Sequence, residues 1–284
     1  MKDPNKVRDA AEAVKGIVEA VPVYQDALQP AAREVGKALQ TVAKTIHVAL
    51  APISALVWGF ENIKEFVSVR VAEKLRNVPP ERIQTPKANV VGPALEALRY
   101  TGPEESLRDL YANLLANSLD ADTAKNAHPA FVDMIKSMSP DEARIMRLFA
   151  TRGVFPLVDL RLADVAGTGY QVLMRNFSLI GKEAGCEHPE LTTSYLNNLD
   201  RLGLILLPDQ GGIGTPHLTD SKQYEVLEAA PELATLRAEV EGSTAYKLVL
   251  ERRFVEITSF GSQFCNACVI DKNVVNPAPG GEVG

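Results

Sequence analysis

Cysteine is nearly absent from this chain: Cys186, Cys265 and Cys268 are all it has in 284 residues. A disulfide scaffold needs a denser, paired set, so that class is excluded and a reducing compartment is expected. Histidine is almost as scarce, at His47, His128, His188 and His217. None of the four stands in an HExxH pattern, and no GxSxG, Walker A or dinucleotide-binding glycine motif accompanies them. Gly211-Gly212-Ile213-Gly214 has the glycines of a phosphate cradle without the Lys-Ser/Thr that should follow. Aromatic residues make up only 6%, and Ala, Val and Leu take their place, which favours helix packing over a β-sandwich. Excess positive charge is missing too. The net charge is −6, which weighs against general attraction to nucleic acid or anionic lipid. The opening MKDPNKVRDAAEAVKG carries charge throughout, with no apolar run before a cleavage site, so no secretory signal is expected and the cytoplasm is the expected location.

What the chain does have is helical patterning. With 46% hydrophobic residues it can bury a substantial core. Three helical patterns follow one another between Gly92 and Phe149. Leu107, Leu110, Tyr111, Leu114, Leu115 and Leu119 form one stripe, and Phe131, Met134, Ile135 and Met138 form a second. Ser139-Pro140-Asp141-Glu142 opens a third with Ile145, Met146, Leu148 and Phe149. Upstream, Val7, Ala11, Val14, Val18 and Val21 mark a weak amphipathic helix, and residues 31–75 read as helical apart from a break near Pro52. Asn77 to Pro93, with Pro79, Pro80, Pro86 and Gly92, reads as an extended connector that packs through Ile83, Val90 and Val91.

After Phe149 the period shortens. Residues 154–162 predict a short strand, Gly167-Thr168-Gly169 a turn, and residues 170–185 a strand feeding a short helix. Pro189 to Leu202 predicts a helix with Gly203 at its C′ position. Leu204 to Leu207 and Phe254 to Ser259 predict strands, an exposed and charge-rich helical insert lies between them, and Phe260 to Val269 predicts a closing helix. The predicted fold is therefore mainly α: an N-terminal helical bundle plus a C-terminal winged-helix-like α+β domain with a helical insert in the wing. The expected divisions are 1–76, N-terminal helices with an apolar central helix; 77–138, connector and helical core; 139–270, the winged-helix-like domain with its insert at about 211–250; and 271–284, a disordered Pro/Gly-rich tail.

Four candidate sites follow. In the recognition position of a winged helix, Thr193, Asn197, Asn198 and Arg201, with Arg252 and Arg253 beside the wing, form a candidate interaction surface. One arginine among acidic neighbours is poor equipment for phosphate contacts, so protein contact is the preferred reading and a DNA-binding regulator the alternative. The second is the stretch TIHVALAPISALVWGF from Thr45 to Phe60, free of Asp, Glu, Lys and Arg. It is shorter than a bilayer span of about 20 residues. His47, Pro52, Trp58 and Phe60 mark it as a buried central helix or, on activation, a conditional membrane-contacting element. Third, Cys265 and Cys268 with Cys186 and His188 match a Cys₃His zinc set in type, but buried free thiols are the common alternative, so no metal site is assigned. Fourth, Asp120 and Asp122 near His128 have the residue types of an acid/base or metal cluster, and a solvated helix-end loop is the preferred account. No catalytic or cofactor-binding residue is assigned and no cofactor is expected.

The segments PKANVVGPALEALRYTGPEESLRDLYANLLANSLD and HPAFVDMIKSMSPDEARIMRLF resemble the core of the Abi-alpha family, bacterial proteins associated by name with abortive infection. RNFSLIGKEAGCEHPELTTSYLNNLDRLGLI and ITSFGSQFCNAC resemble its C-terminal half, so the likeness spans about Val48 to Val269. The resemblance implies a role in phage defence and supplies no catalytic residues. Together these readings predict a non-enzymatic defence protein acting through protein contacts, with a protein partner, no nucleic-acid partner, and room for homo-oligomerisation or membrane contact on activation.

Overall fold

The computed structural model describes residues 59–207, 221–240 and 242–275. Two compact units divide the chain: residues up to Ala143 together with those from Gln263 onward, and Arg144–Ser262.

The first unit is helical. Helix α1 runs over residues 60–75, as Phe60–Phe66, a wider π-helical turn Val67–Val71, and Ala72–Leu75. Within that turn the Ser68 hydroxyl donates to the Lys64 and Glu65 carbonyls at 2.7 and 3.0 Å, bonding back onto the preceding turn. After a single turn at Pro80–Arg82 come α2 (Ala88–Thr101), α3 (Glu105–Leu119), a turn at Ala124–Asn126, and α4 (Ala130–Lys136). The expected connector therefore stops at Lys87, and Pro93 lies inside α2. A mid-helix proline removes one backbone hydrogen bond. Burial of Val90, Val91, Ala94, Leu95 and Leu98 along one face of α2 outweighs that local loss. Helix α3 is the centre of the unit: its leucine stripe and Tyr111 are buried, and so are Asn113, Asn117 and Ser118.

Helix α5 (Pro140–Thr151) begins with a reciprocal cap. The Ser139 N–H donates to Glu142 Oε2 at 2.6 Å, and the Glu142 N–H donates to Ser139 Oγ at 3.3 Å. The second unit follows: β1 (Val154–Asp164), β2 (Tyr170–Phe177), α6 (Ile180–Glu183), a turn at Pro189–Leu191, α7 (Thr192–Arg201), β3 (Ile205–Leu206), α8 (Ser221–Glu228), α9 (Pro231–Val240) and β4 (Tyr246–Ile257). Its four strands form an antiparallel sheet in the order β2-β1-β4-β3. The protein is thus mostly helical with one small antiparallel sheet.

Two strands are longer than their sequence patterns suggest. Strand β1 continues to Asp164, and β4 begins at Tyr246, so the insert is shorter than 211–250. The register between them is unbroken from Val154↔Glu256 to Asp164↔Tyr246, and this long ladder extends both strands into stretches that alternate poorly. The insert is also not wholly exposed. Tyr224, Leu227, Ala230 and Leu233 pack on Val158 and Leu160, covering one face of the sheet. Gly203 takes the left-handed conformation (φ +72°) that ends α7, as its C′ position requires.

The closing helix α10 (Ser259–Phe264) continues as a π-helical turn Cys265–Val269, and α11 (Lys272–Val275) ends the described chain. Residues from Gln263 onward belong to the first unit. The tail expected to lack structure from 271 is instead held through residues 271–273. Lys74 Nζ lies 2.8 Å from Asp271, and the Asn77 side-chain amide donates to Asn273 Oδ1 at 3.1 Å.

Candidate interaction surface

The carboxylates flagged near His128 are structural. Asp120 is fully buried, and Arg82 reaches it with Nε at 3.0 Å and a terminal nitrogen at 2.6 Å. Lys272 Nζ approaches the same carboxylate at 2.5 Å and also donates to Thr123 Oγ1 at 2.8 Å. Burial pushes the Asp120 carboxyl up, but the bonds from Arg82 and Lys272 outweigh it, so the group sits below the usual carboxylate range. At Lys272 burial dominates and lowers the ammonium below its ordinary value despite Asp120. Asp122 adds an exposed contact to Arg82 at 3.0 Å. His128 Nδ1 accepts from the Ala130 N–H at 3.1 Å, the geometry of a residue fastening the start of α4. Asp120 is therefore committed to two cations drawn from distant parts of the chain, and it is buried where a solvated helix-end loop was expected.

A second polar feature went unnoticed in the sequence. Asn113 and Asn117 are one helical turn apart on α3. The Asn113 amide donates to the Cys268 and Val269 carbonyls at 2.8 and 3.2 Å, and the Asn117 amide donates to the Ala267 carbonyl at 2.9 Å. These carbonyls close the C-terminal π turn, where helical partners run out. The signal available was two amides spaced i, i+4 within a leucine stripe. Cys265 and Cys268 lie in that turn as buried free thiols. Burial raises Cys265 to about 12 and Cys268 well above the ordinary thiol value, so neither is primed for nucleophilic attack. Cys186 and His188 belong to the other unit. Among the described residues, no group of three or more His, Cys, Asp or Glu side chains is placed to hold a metal ion.

The apolar stretch ending at Phe60 falls almost entirely outside the described residues: His47, Pro52 and Trp58 are not described, and Phe60 is the first residue of α1. Among the described residues, no helix is long and apolar enough to cross a membrane.

The residues expected to form a surface around α7 divide. Thr193 is half-buried and Asn197 exposed. Asn198 Oδ1 accepts from Arg201 at 3.0 and 2.6 Å, which ties the helix's one cation to its neighbour. Arg252 is exposed but engaged: it pairs with Glu228 at 2.6 Å and lies over the Tyr224 ring. Arg253 is not on the surface at all. It is buried, 2.7 Å from the buried Asp159 carboxylate, whose other oxygen accepts the Asn176 N–H at 2.8 Å. On β4, Arg252 and Arg253 point to opposite faces, so adjacent arginines cannot form one basic patch.

Several of the large apolar side chains exposed among the described residues lie at the end of the sheet remote from β3. Val165, Tyr170, Leu173, Tyr246 and Val249 are 55%, 60%, 39%, 50% and 37% exposed. Val172 and Val249 flank Arg161 across three strands, and Tyr170 and Lys247 flank Ala163. The Arg161 guanidinium lies 4.5 Å from the centre of the Tyr170 ring and pairs with Glu251. The tip is held by Asp164, which accepts from the Ala166 N–H at 2.8 Å and from the Thr168 hydroxyl, with Gly167 at φ +77° in the turn. The Thr168 bond first, then the Ala166 bond, holds Asp164 below the usual carboxylate range. Tyr170 and Val249 lie on the Arg161 face of this end and Tyr246 on the opposite face, so the exposed apolar side chains surround the end of the sheet on both faces.

Helical packing around α3, joined in one chain to an antiparallel sheet with a helical insert, defines a mostly helical protein with one small antiparallel sheet. The chain belongs to the abortive infection alpha (Abi_alpha) family, whose model matches residues 59–268. It is also similar to a solved structure of an uncharacterized protein from the marine bacterium Alcanivorax borkumensis SK2. That likeness has 25% identity over 47% of this chain and 88% of the other, with a TM-score of 0.31. No curated protein matches the chain.

Proposed function

We propose that the protein serves in abortive-infection-type phage defence as a non-enzymatic component, and that it acts through protein contacts made by the far end of its sheet. Family membership supports the defence role. The observation that supports the contact mechanism is the exposure of Val165, Tyr170, Leu173, Tyr246 and Val249 around the far end of the sheet, beside the turn braced by Asp164. In this reading Arg144–Ser262 is a winged-helix-like unit whose wing serves protein recognition. Its use as a DNA reader is disfavoured because Arg201 and Arg252 are tied to Asn198 and Glu228, and Arg253 is buried.

The test is plaque formation on cells producing wild-type protein or the double variant Tyr170→Ser/Leu173→Ser. Both side chains are exposed, so the variant should accumulate and melt like wild type. Loss of phage restriction by the variant is the expected result, and undiminished restriction would contradict the reading. Duplex DNA titrated at low salt should show no saturable binding. Binding that weakens steeply with salt would favour the regulator instead.

A further inference from the structure

Strand β4 carries an edge whose direction can be worked out residue by residue. The Ile257 N–H donates to the Gly153 carbonyl at 2.8 Å, beside β1, whereas the Thr258 N–H donates to the Leu204 carbonyl at 3.0 Å, beside β3. Because the β1–β4 register is unbroken to Tyr246, the backbone groups of Lys247, Val249, Glu251 and Arg253 face β1. Those of Tyr246, Leu248, Leu250 and Arg252 face the other way. The far end agrees: the Val165 N–H donates to the Ala245 carbonyl at 3.0 Å on the β1 side. On the outer side, among the described residues, β3 pairs only with Ile257 and Glu256. Among the described residues, no strand continues that pairing from Leu248 to Arg252. The Tyr246 N–H is taken by the Ser243 hydroxyl at 3.1 Å.

The other outer edge, on β2, is a poorer template. Its register with β1 shifts between Val158 and Leu160 and again between Leu160 and Arg161, and Asn176 has a positive φ of 51°. Such irregularities blunt an edge. The β4 edge is regular throughout.

We propose that this edge pairs with the same edge of a second copy of the chain, antiparallel, about a twofold axis at Val249. Which occupant suits the edge is decided by its own residues. With the axis at Val249, Leu248 meets Leu250 of the second copy at a hydrogen-bonded pair, where the backbone groups of both point outward. Lys247 meets Glu251 of the second copy, so opposite charges face each other on both sides of the axis, and Glu251 lies between that lysine and Arg161. Tyr246 faces Arg252. Val249 meets itself at a non-hydrogen-bonded pair, where Cα atoms approach to about 4.5 Å. A strand that is complementary to its own reversal in charge, apolar content and hydrogen-bond phase satisfies the condition for an isologous interface. The inference rests on the protein-contact reading and gives that surface one specific partner.

Sedimentation of the full chain across the micromolar range tests it, with three variants. Wild type should dimerise. Val249→Lys, at an exposed position, should raise the dissociation constant roughly tenfold or more by placing like charges on the axis, with an unchanged circular dichroism spectrum. In a Cys186→Ser background, Val249→Cys should cross-link to its own copy on mild oxidation, the Cα spacing being within disulfide range, while Lys247→Cys should not. A monomer at every concentration would overturn the proposal. So would a dimer indifferent to Val249→Lys, or equal cross-linking at 247 and 249. A monomeric wild type that still loses phage restriction through Tyr170→Ser/Leu173→Ser would remove the dimer and leave the contact reading standing.

Discussion

The buried charges set the behaviour of individual residues. Asp120 has a folded pKa below its unfolded value, so its contribution is full above about pH 3.9 and is lost as pH falls through the folded value. Asp120→Asn leaves Lys272 buried without its carboxylate and should cost about 3 kcal/mol at neutral pH, measured by urea unfolding. The variant should also lose less additional stability than wild type when pH is lowered below 4. Arg253→Ala should cost roughly 3–5 kcal/mol by stranding Asp159, whereas Arg252→Ala, which breaks an exposed pair, should cost far less. Equal effects of the two arginines would contradict the assignment of opposite faces. These roles were not legible in the sequence, because the partners of Asp120, Arg82 and Lys272, lie far from it along the chain. Adjacent arginines looked like a patch only because the strand's alternation was not carried back to Arg252. The two amides of α3 were hidden for a related reason: an Asn within a leucine stripe has meaning only once the carbonyls it meets are known.

Elements were more legible where packing and local signals agree. The α3 stripe, the Ser139 start of α5 and the Gly203 end of α7 all stand where spacing and caps place them. Elements whose extent depends on a distant partner were not. Strand β4 owes its length to β1, and α2 keeps Pro93 because its buried face overrides the lost hydrogen bond. The insert helices looked solvent-exposed because charge surrounds a narrow apolar face of Tyr224, Leu227 and Leu233. Leu233→Ala should therefore cost about 2–5 kcal/mol, far more than an exposed helix position would. Gly261 shows how closely α10 approaches β3: a Cβ there would run into the Leu204 carbonyl. Gly261→Ala should lower the thermal midpoint of the second unit, and an unchanged midpoint would mean that the two segments separate easily.

For the whole molecule, family membership was legible in the helical core motifs, which lie within the matched residues 59–268. The proposed contact surface was not, because its apolar residues come from two strands and the turn after β1, and only the sheet brings them together. Tyr170 and Leu173 in one hairpin strand and Tyr246 and Val249 in another look unremarkable apart, yet they share one end of the sheet. Under the proposed function, this end of the sheet carries the defence role. The most direct measurement is phage yield per infected cell in a single growth cycle, comparing cells with no protein, wild type and Tyr170→Ser/Leu173→Ser at matched levels of folded protein. The account predicts that wild type depresses the yield and that the variant restores it to the level without protein. A variant that depresses the yield as wild type does would contradict it.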